Sequence, residues 1–166
     1  MSPGRIALLQ GMPVFGALRD DAIECLLEDA PTVARARGET FFSEGDGAHC
    51  MYVIEAGAVE VQKRWNGREY PLHKLGAGDC FGEMALMDFC PRSATVRALQ
   101  DCRAIEIAGS ALHRLYERDL EQFTLIQMNI GREVCRRLRE ADGQLFRAHM
   151  GEALEASTGD SLFRGL

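Results

Sequence analysis

The chain has no C-x-x-C pair. Its six cysteines, Cys25, Cys50, Cys80, Cys90, Cys102 and Cys135, are widely scattered and form no cluster with the histidines. That scatter is read as reduced, partly buried thiols. Histidine is scarce, and His49, His73, His113 and His149 are isolated from one another, so no metal site is expected. No Ser-His-Asp or paired-carboxylate arrangement stands out, and no catalysis is read from the residues. Basic excess is missing too: a net charge of −6 argues against direct attraction to nucleic acid or an anionic membrane. No apolar run approaches a membrane span and nothing near the N-terminus has a signal-peptide layout, so the expected location is the cytoplasm.

What is present fits a single globular domain. The 166 residues, 46% hydrophobic and 27% charged, are enough for a real core. From Ile6 to Ala30 apolar residues recur at helical spacing, with Asp20 as an N-cap for the last segment and Pro31 closing it. Between Arg37 and Ile107 the pattern changes to short β-rich runs punctuated by glycine. Those runs are 40–42, 51–55, 58–63, 70–75, 94–97 and 104–107, with Asn66-Gly67 as a hairpin signal. Such strands imply a sandwich or barrel. After Ile107 the period is helical again, with Ser110 capping a short helix and Asp119 capping a long one that runs to about Phe146 or beyond.

One stretch organises the chain: Phe81-Gly82-Glu83-Met84-Ala85-Leu86-Met87-Asp88-Phe89-Cys90-Pro91-Arg92-Ser93-Ala94-Thr95-Val96. Gly82 lets the backbone turn and approach a ligand closely, and the N–H groups opening the short helical turn after it face outward as donors. Arg92, fixed behind Pro91, offers two parallel N–H donors to a phosphate, and Ser93 adds a hydroxyl. Glu83 beside a phosphate is repelled unless a ligand hydroxyl donates to it. A ribose next to a singly charged phosphodiester meets both demands.

At these residues the chain resembles the cyclic nucleotide-binding domains of catabolite-activator proteins and of cyclic-nucleotide-dependent kinases and channels. The family's phosphate-binding cassette reads Phe-Gly-Glu-Leu-Ala-Leu, a few variable residues, then Pro-Arg-small-Ala-Thr-Val. The resemblance implies that Glu83 accepts from the ribose 2′-hydroxyl and Arg92 binds the cyclic phosphate. Phe81, Gly82, Met84, Ala85, Pro91, Ser93, Ala94 and Val96 complete the expected ligand-binding set. It also implies an α+β fold: an eight-stranded β jelly roll (double-stranded β-helix) with N-terminal helices and a long C-terminal helix. The metal-dependent cupin enzymes share that architecture but need clustered histidines, which this chain lacks. The closely spaced N-terminal cysteines of iron–sulfur relatives are missing as well.

In the long helix Phe123, Ile126, Ile130, Val134, Leu138, Ala141 and Leu145 make a stripe of about three heptads. The family's last helix lids the base and, in bacterial members, pairs with its twin, so a homodimer through this helix is expected. Gly131, mid-helix, suggests a close approach or a hinge. The threonine and serine that read adenine in the catabolite activator have no counterpart here; Arg139, Asp142 or Gln144 could meet the base edge. Ser93 favours cyclic AMP, with cyclic GMP as the alternative. The expected domain is 1–147, followed by a flexible tail, 148–166, with Leu162-Phe163 as a docking point. With some twenty residues after Phe146, no DNA-reading domain is expected within these residues. The functional expectation is therefore a stand-alone cyclic nucleotide receptor that signals through its C-terminal helix to a protein effector. The alternatives are a ligand-independent interaction domain of the same fold, or the sensor part of a transcription regulator.

Overall fold

In the computed structural model the backbone is described for residues 3–162 and the side chains for residues 6–151. Two helices, α1 (Pro3–Gln10) and α2 (Asp20–Leu27), flank a single 3-10 turn at Pro13–Phe15. Eight strands follow: β1 (Thr32–Arg35), β2 (Thr40–Phe42), β3 (Cys50–Ala56), β4 (Ala58–Trp65), β5 (Arg68–Gly76), β6 (Cys80–Phe81), β7 (Thr95–Ala98) and β8 (Cys102–Ala108). The short α3 (Met84–Asp88) interrupts them between β6 and β7, and α4 (Gly109–Arg118) and α5 (Leu120–Leu162) come last.

The strands form two four-stranded antiparallel sheets, ordered β1-β8-β3-β6 and β2-β7-β4-β5. This is the jelly-roll-like α+β architecture that the resemblance implies. The first sheet is apolar on both faces, because side chains alternate along a strand. From β3 and β8, Met51, Val53, Ile105 and Ile107 join a core with helical residues including Leu9, Phe15, Leu26, Leu115, Ile126 and Ile130. Tyr52, Ile54, Cys102 and Ala104 point the other way, into a core with Phe41, Val59, Val61, Phe81 and Val96. Double-faced burial explains why β3 reads as a near-continuous apolar run. Strand β5, at an edge, is exposed from Arg68 through Lys74.

Two strands escape the sequence pattern. β1 is half-exposed along its length, and β6 is only two residues long. Asn66-Gly67 closes the β4–β5 hairpin as read, with Trp65 paired to Arg68. Gly57, between β3 and β4, has φ +94, and a Cβ there would lie 2.5 Å from the Asp101 carbonyl oxygen, so both backbone sign and space require glycine.

The caps divide. Asp119 caps α5 as expected, its Oδ1 accepting from the Gln122 backbone N–H at 3.1 Å. Asp20 does not cap α2: Arg19 holds that position, and the Asp20 carboxylate instead accepts from Gln10 Nε2 at 2.8 Å while sitting in the helix's first turn. Ser110 does not cap α4 either, since the helix already opens at Gly109, whose N–H is tied to the His49 carbonyl oxygen at 2.9 Å.

The Gln122 backbone N–H, joined by the Arg19 guanidinium, holds the Asp119 carboxyl below its ordinary value. A lowered folded-state value stabilises the fold above the unfolded carboxylate range, and that stabilisation disappears as pH falls through the folded value. Acid titration followed by circular dichroism should therefore show wild type losing stability below about pH 4 more steeply than Asp119→Asn, in which this titration is absent. Parallel curves for the two would remove the cap from the acid response.

The chain divides into two compact units, the first ending at Ile130 and the second beginning at Gly131. The first holds the sheets, α1 to α4 and the opening turns of α5; the described part of the second is the remainder of α5. Helical backbone continues past Phe146 to Leu162, through a segment rich in the strong helix formers alanine, glutamate and leucine. Of the pair Leu162-Phe163, Phe163 and both side chains lie outside the described residues.

Gly131 needs no close approach, since a Cβ there would meet nothing within 4 Å. Gly131→Ala should accordingly stabilise the fold by up to about 1 kcal/mol in denaturant unfolding. A loss of stability would show that glycine is required at this point of α5.

Candidate functional site

The site grows from the turn between β6 and α3. Phe81 ends β6 fully buried, and Gly82 follows with φ +78, in the left-handed region that a side chain disfavours. A Cβ on Gly82 would come within 2.5 Å of Arg92 Nη1, so glycine both makes the turn and leaves room for the guanidinium. Glu83, the N-cap residue of α3, is only 2% exposed. A carboxylate buried to this degree on a surface turn is placed for something other than solvation. Ala85 is buried and Met84 exposed, and the Leu86 N–H closes the turn onto the Glu83 carbonyl oxygen at 3.0 Å.

Arg92 comes from the far end of the same loop and is 5% exposed. Its Nη1 donates to the Gly82 carbonyl oxygen at 2.9 Å and its Nη2 to the Cys50 sulfur at 3.3 Å. The guanidinium lies 4.0 Å over the Phe42 ring and 5.9 Å from that of Tyr52. The cation therefore rests on an aromatic floor, which stabilises it without requiring a carboxylate. Phe81 stacks on Tyr52 at 5.1 Å and meets Phe41 edge-on at 5.0 Å, extending that floor into the core between the sheets.

The β2–β3 connection fixes the Arg92 backbone from both sides. The Gly45 N–H donates to the Arg92 carbonyl oxygen at 2.9 Å, and the Arg92 N–H donates to the Asp46 carbonyl oxygen at 2.9 Å. The Asp46 carboxylate in turn accepts from the Ser43 N–H at 2.8 Å, a bond across the loop that stiffens it. A side chain anchored this way reaches inward with little backbone freedom. Burial raises the Tyr52 phenol well above its ordinary value, with hydrogen bonding to Cys50 adding to the shift, so Tyr52 stays a neutral hydroxyl.

The structure brings Phe81, Gly82 and Arg92 into one place, with Glu83 next in the chain to Gly82. Pro91 and Ser93 are exposed beside Arg92, and the Ser93 hydroxyl approaches the Met84 sulfur at 3.9 Å. Ala94 and Val96 face inward as core residues at the end of the loop and on β7. Arg139 and Asp142 stand at exposed positions of α5 in the second unit. Phe42, Cys50 and Tyr52 were not foreseen as neighbours of the arginine. They lie on β2 and β3, some forty to fifty residues earlier, and nothing in a strand pattern marks which inward residue will meet a distant loop. Among the described residues no group of three or more histidine, cysteine or acidic side chains could hold a metal ion, and no helix is long and apolar enough to cross a membrane.

Comparison with known proteins adds four findings. A family model described as the cyclic nucleotide-binding domain matches residues 33–119. A cyclic AMP receptor protein of Thermus thermophilus is 30% identical over 138 residues, 82% of this chain and 62% of that protein, so the chain spans less than two thirds of that relative. A cAMP-dependent protein kinase regulatory subunit of Blastocladiella emersonii is 34% identical over 110 residues, 66% of this chain and 27% of that protein. Among solved structures, the N-terminal domain of a transcriptional regulator from Streptomyces coelicolor A3(2) superposes with a TM-score of 0.65 at 31% identity, covering 83% of this chain and 94% of that one.

Proposed function

The chain belongs to the cyclic nucleotide-binding domain family, and from that premise we propose that it is a non-catalytic receptor module for a cyclic mononucleotide, cyclic AMP before cyclic GMP. The observation that carries this reading is the convergence of two buried charged residues on one glycine turn. Arg92 is hydrogen-bonded to Gly82 and Glu83 follows Gly82 directly. In the proposed complex Arg92 takes the cyclic phosphate and Glu83 accepts from the ribose 2′-hydroxyl. A purely structural loop gives no reason to bury both.

The choice of nucleotide is supported by Ser93 after the arginine and by the relatives described as cyclic AMP receptor and cAMP-dependent regulatory subunit. Isothermal calorimetry with cyclic AMP, cyclic GMP, cyclic di-GMP and 5′-AMP tests it. Heat from cyclic AMP at the lowest concentration, with none from 5′-AMP, supports the assignment; preference for 5′-AMP or the dinucleotide would sink it.

The output we propose runs through α5, in the cytoplasm and within a homodimer. Ile126 and Ile130 are buried in the core of the first unit, whereas Leu138, Leu145 and Phe146 are exposed on the same helix. The second half of the stripe is thus available to a twin helix, flanked by an ionic ladder in which Glu133 accepts from Arg136 Nη2 at 2.5 Å and from Arg137 Nε at 3.1 Å. Leu138→Glu combined with Leu145→Glu should convert a dimer to a monomer in sedimentation equilibrium. A dimer that survives both substitutions would place its interface elsewhere.

A further inference from the structure

We infer that Cys50 sets the affinity of the Arg92 anion site by holding the guanidinium in a rest position that ligand must displace. The inference rests on the reading of Arg92 given above. Cys50 opens β3, half-buried, and its sulfur accepts from Arg92 Nη2 at 3.3 Å. Tyr52, two residues further along β3, also faces the guanidinium, which lies 5.9 Å from its ring. The other outer nitrogen of Arg92 is held by the Gly82 carbonyl oxygen at 2.9 Å, and Nε makes no hydrogen bond although the side chain is 5% exposed.

The guanidinium is therefore held at rest by one full-strength acceptor and one weak one, because a thiol sulfur is a poor acceptor. A phosphate oxygen makes a charge-assisted bond about twice as strong as a neutral one. Taking Nη2 from a sulfur is easier than taking it from an oxygen, and far easier than taking it from a carboxylate. The acceptor strength at position 50 accordingly sets the depth of the rest state, and the free energy of nucleotide binding is reduced by that depth. Cys50 is a positioning residue here: it acts on ligand through Arg92.

The sign of the effect separates this role from packing. Cys50→Ala removes the competing acceptor and should tighten cyclic AMP binding about twofold to threefold, the lower end of the range of one net hydrogen bond. Cys50→Ser supplies a stronger acceptor and should weaken binding by a similar factor. Cys50→Asp places an anion against the guanidinium and should weaken binding by on the order of a hundredfold or more. A cysteine that only packs would weaken binding in every variant, alanine included.

The experiment is calorimetric titration of the full chain with cyclic AMP across these three variants, with folding checked by circular dichroism and Arg92→Ala run alongside. Opposite shifts for alanine and serine establish the role, and that pair suffices should Cys50→Asp not fold. Equal or weaker binding by Cys50→Ala, with Arg92→Ala still losing binding, would overturn the role of Cys50 and leave the site intact. Unchanged binding by Arg92→Ala would overturn both.

Discussion

Arg92→Ala is expected to weaken cyclic AMP binding by about 2 to 5 kcal/mol, the usual consequence of truncating one partner of a buried charge pair. In titration this is a dissociation constant raised by roughly thirtyfold to several thousandfold. The effect should be this large because the backbone of Arg92 is bracketed by Gly45 and Asp46 and its side chain is 5% exposed, so the guanidinium is fixed and desolvated where the phosphate would lie. Arg92→Lys keeps the charge but loses the planar fork, and should recover only part of the affinity. An Arg92→Ala chain that binds as well as wild type would remove the cassette assignment.

The largest effect on stability is expected at Phe81. Its side chain is 1% exposed and packs against three rings, Tyr52 at 5.1 Å, Phe41 at 5.0 Å and Phe42 at 5.9 Å. Phe81→Ala should destabilise the fold by about 3 to 5 kcal/mol, combining lost transfer free energy with the cavity left between the sheets. The two-residue β6 ends on this ring, and the Gly82 turn follows directly. Ligand affinity should therefore fall in the same variant. Denaturant unfolding monitored by circular dichroism measures the first effect; a loss below about 1 kcal/mol would show that the aromatic cluster refills the space.

How much of this was legible beforehand follows from the range of each signal. The cassette is local in sequence, and Gly82, Glu83 and Arg92 are identifiable by residue type and spacing alone. Six of the eight strands announce themselves by β-branched and aromatic runs between glycines. β1 and β6 do not, because a half-exposed edge strand and a two-residue strand carry too few buried positions to make a pattern. Caps proved ambiguous wherever an alternative bond was on offer. Asp119 meets the Arg19 guanidinium with one oxygen and still caps through the other, which accepts from the Gln122 N–H, whereas Asp20 met Gln10 and did not cap. The floor under Arg92 was invisible because Phe42, Cys50 and Tyr52 reach it only through the pairing of distant strands. Alternation says which way Tyr52 points, and nothing local says what it will find there.

The stripe along α5 shows a related limit. Period alone assigns Ile126, Ile130, Leu138 and Leu145 to one face and hence to one task. The structure buries the first pair within the first unit and leaves the second pair exposed, so one continuous pattern serves two environments. Helix period identifies a face and is silent about what covers it.

The central claim is that the buried Glu83 and Arg92 make a cyclic nucleotide site, and unfolding of the native chain with and without ligand tests it most directly. Cyclic AMP at about 100 times its dissociation constant should raise the unfolding free energy by about 2.7 kcal/mol, with little change from 5′-AMP. No stabilisation of ligand-free protein by any cyclic nucleotide, at concentrations into the millimolar range, would contradict the account.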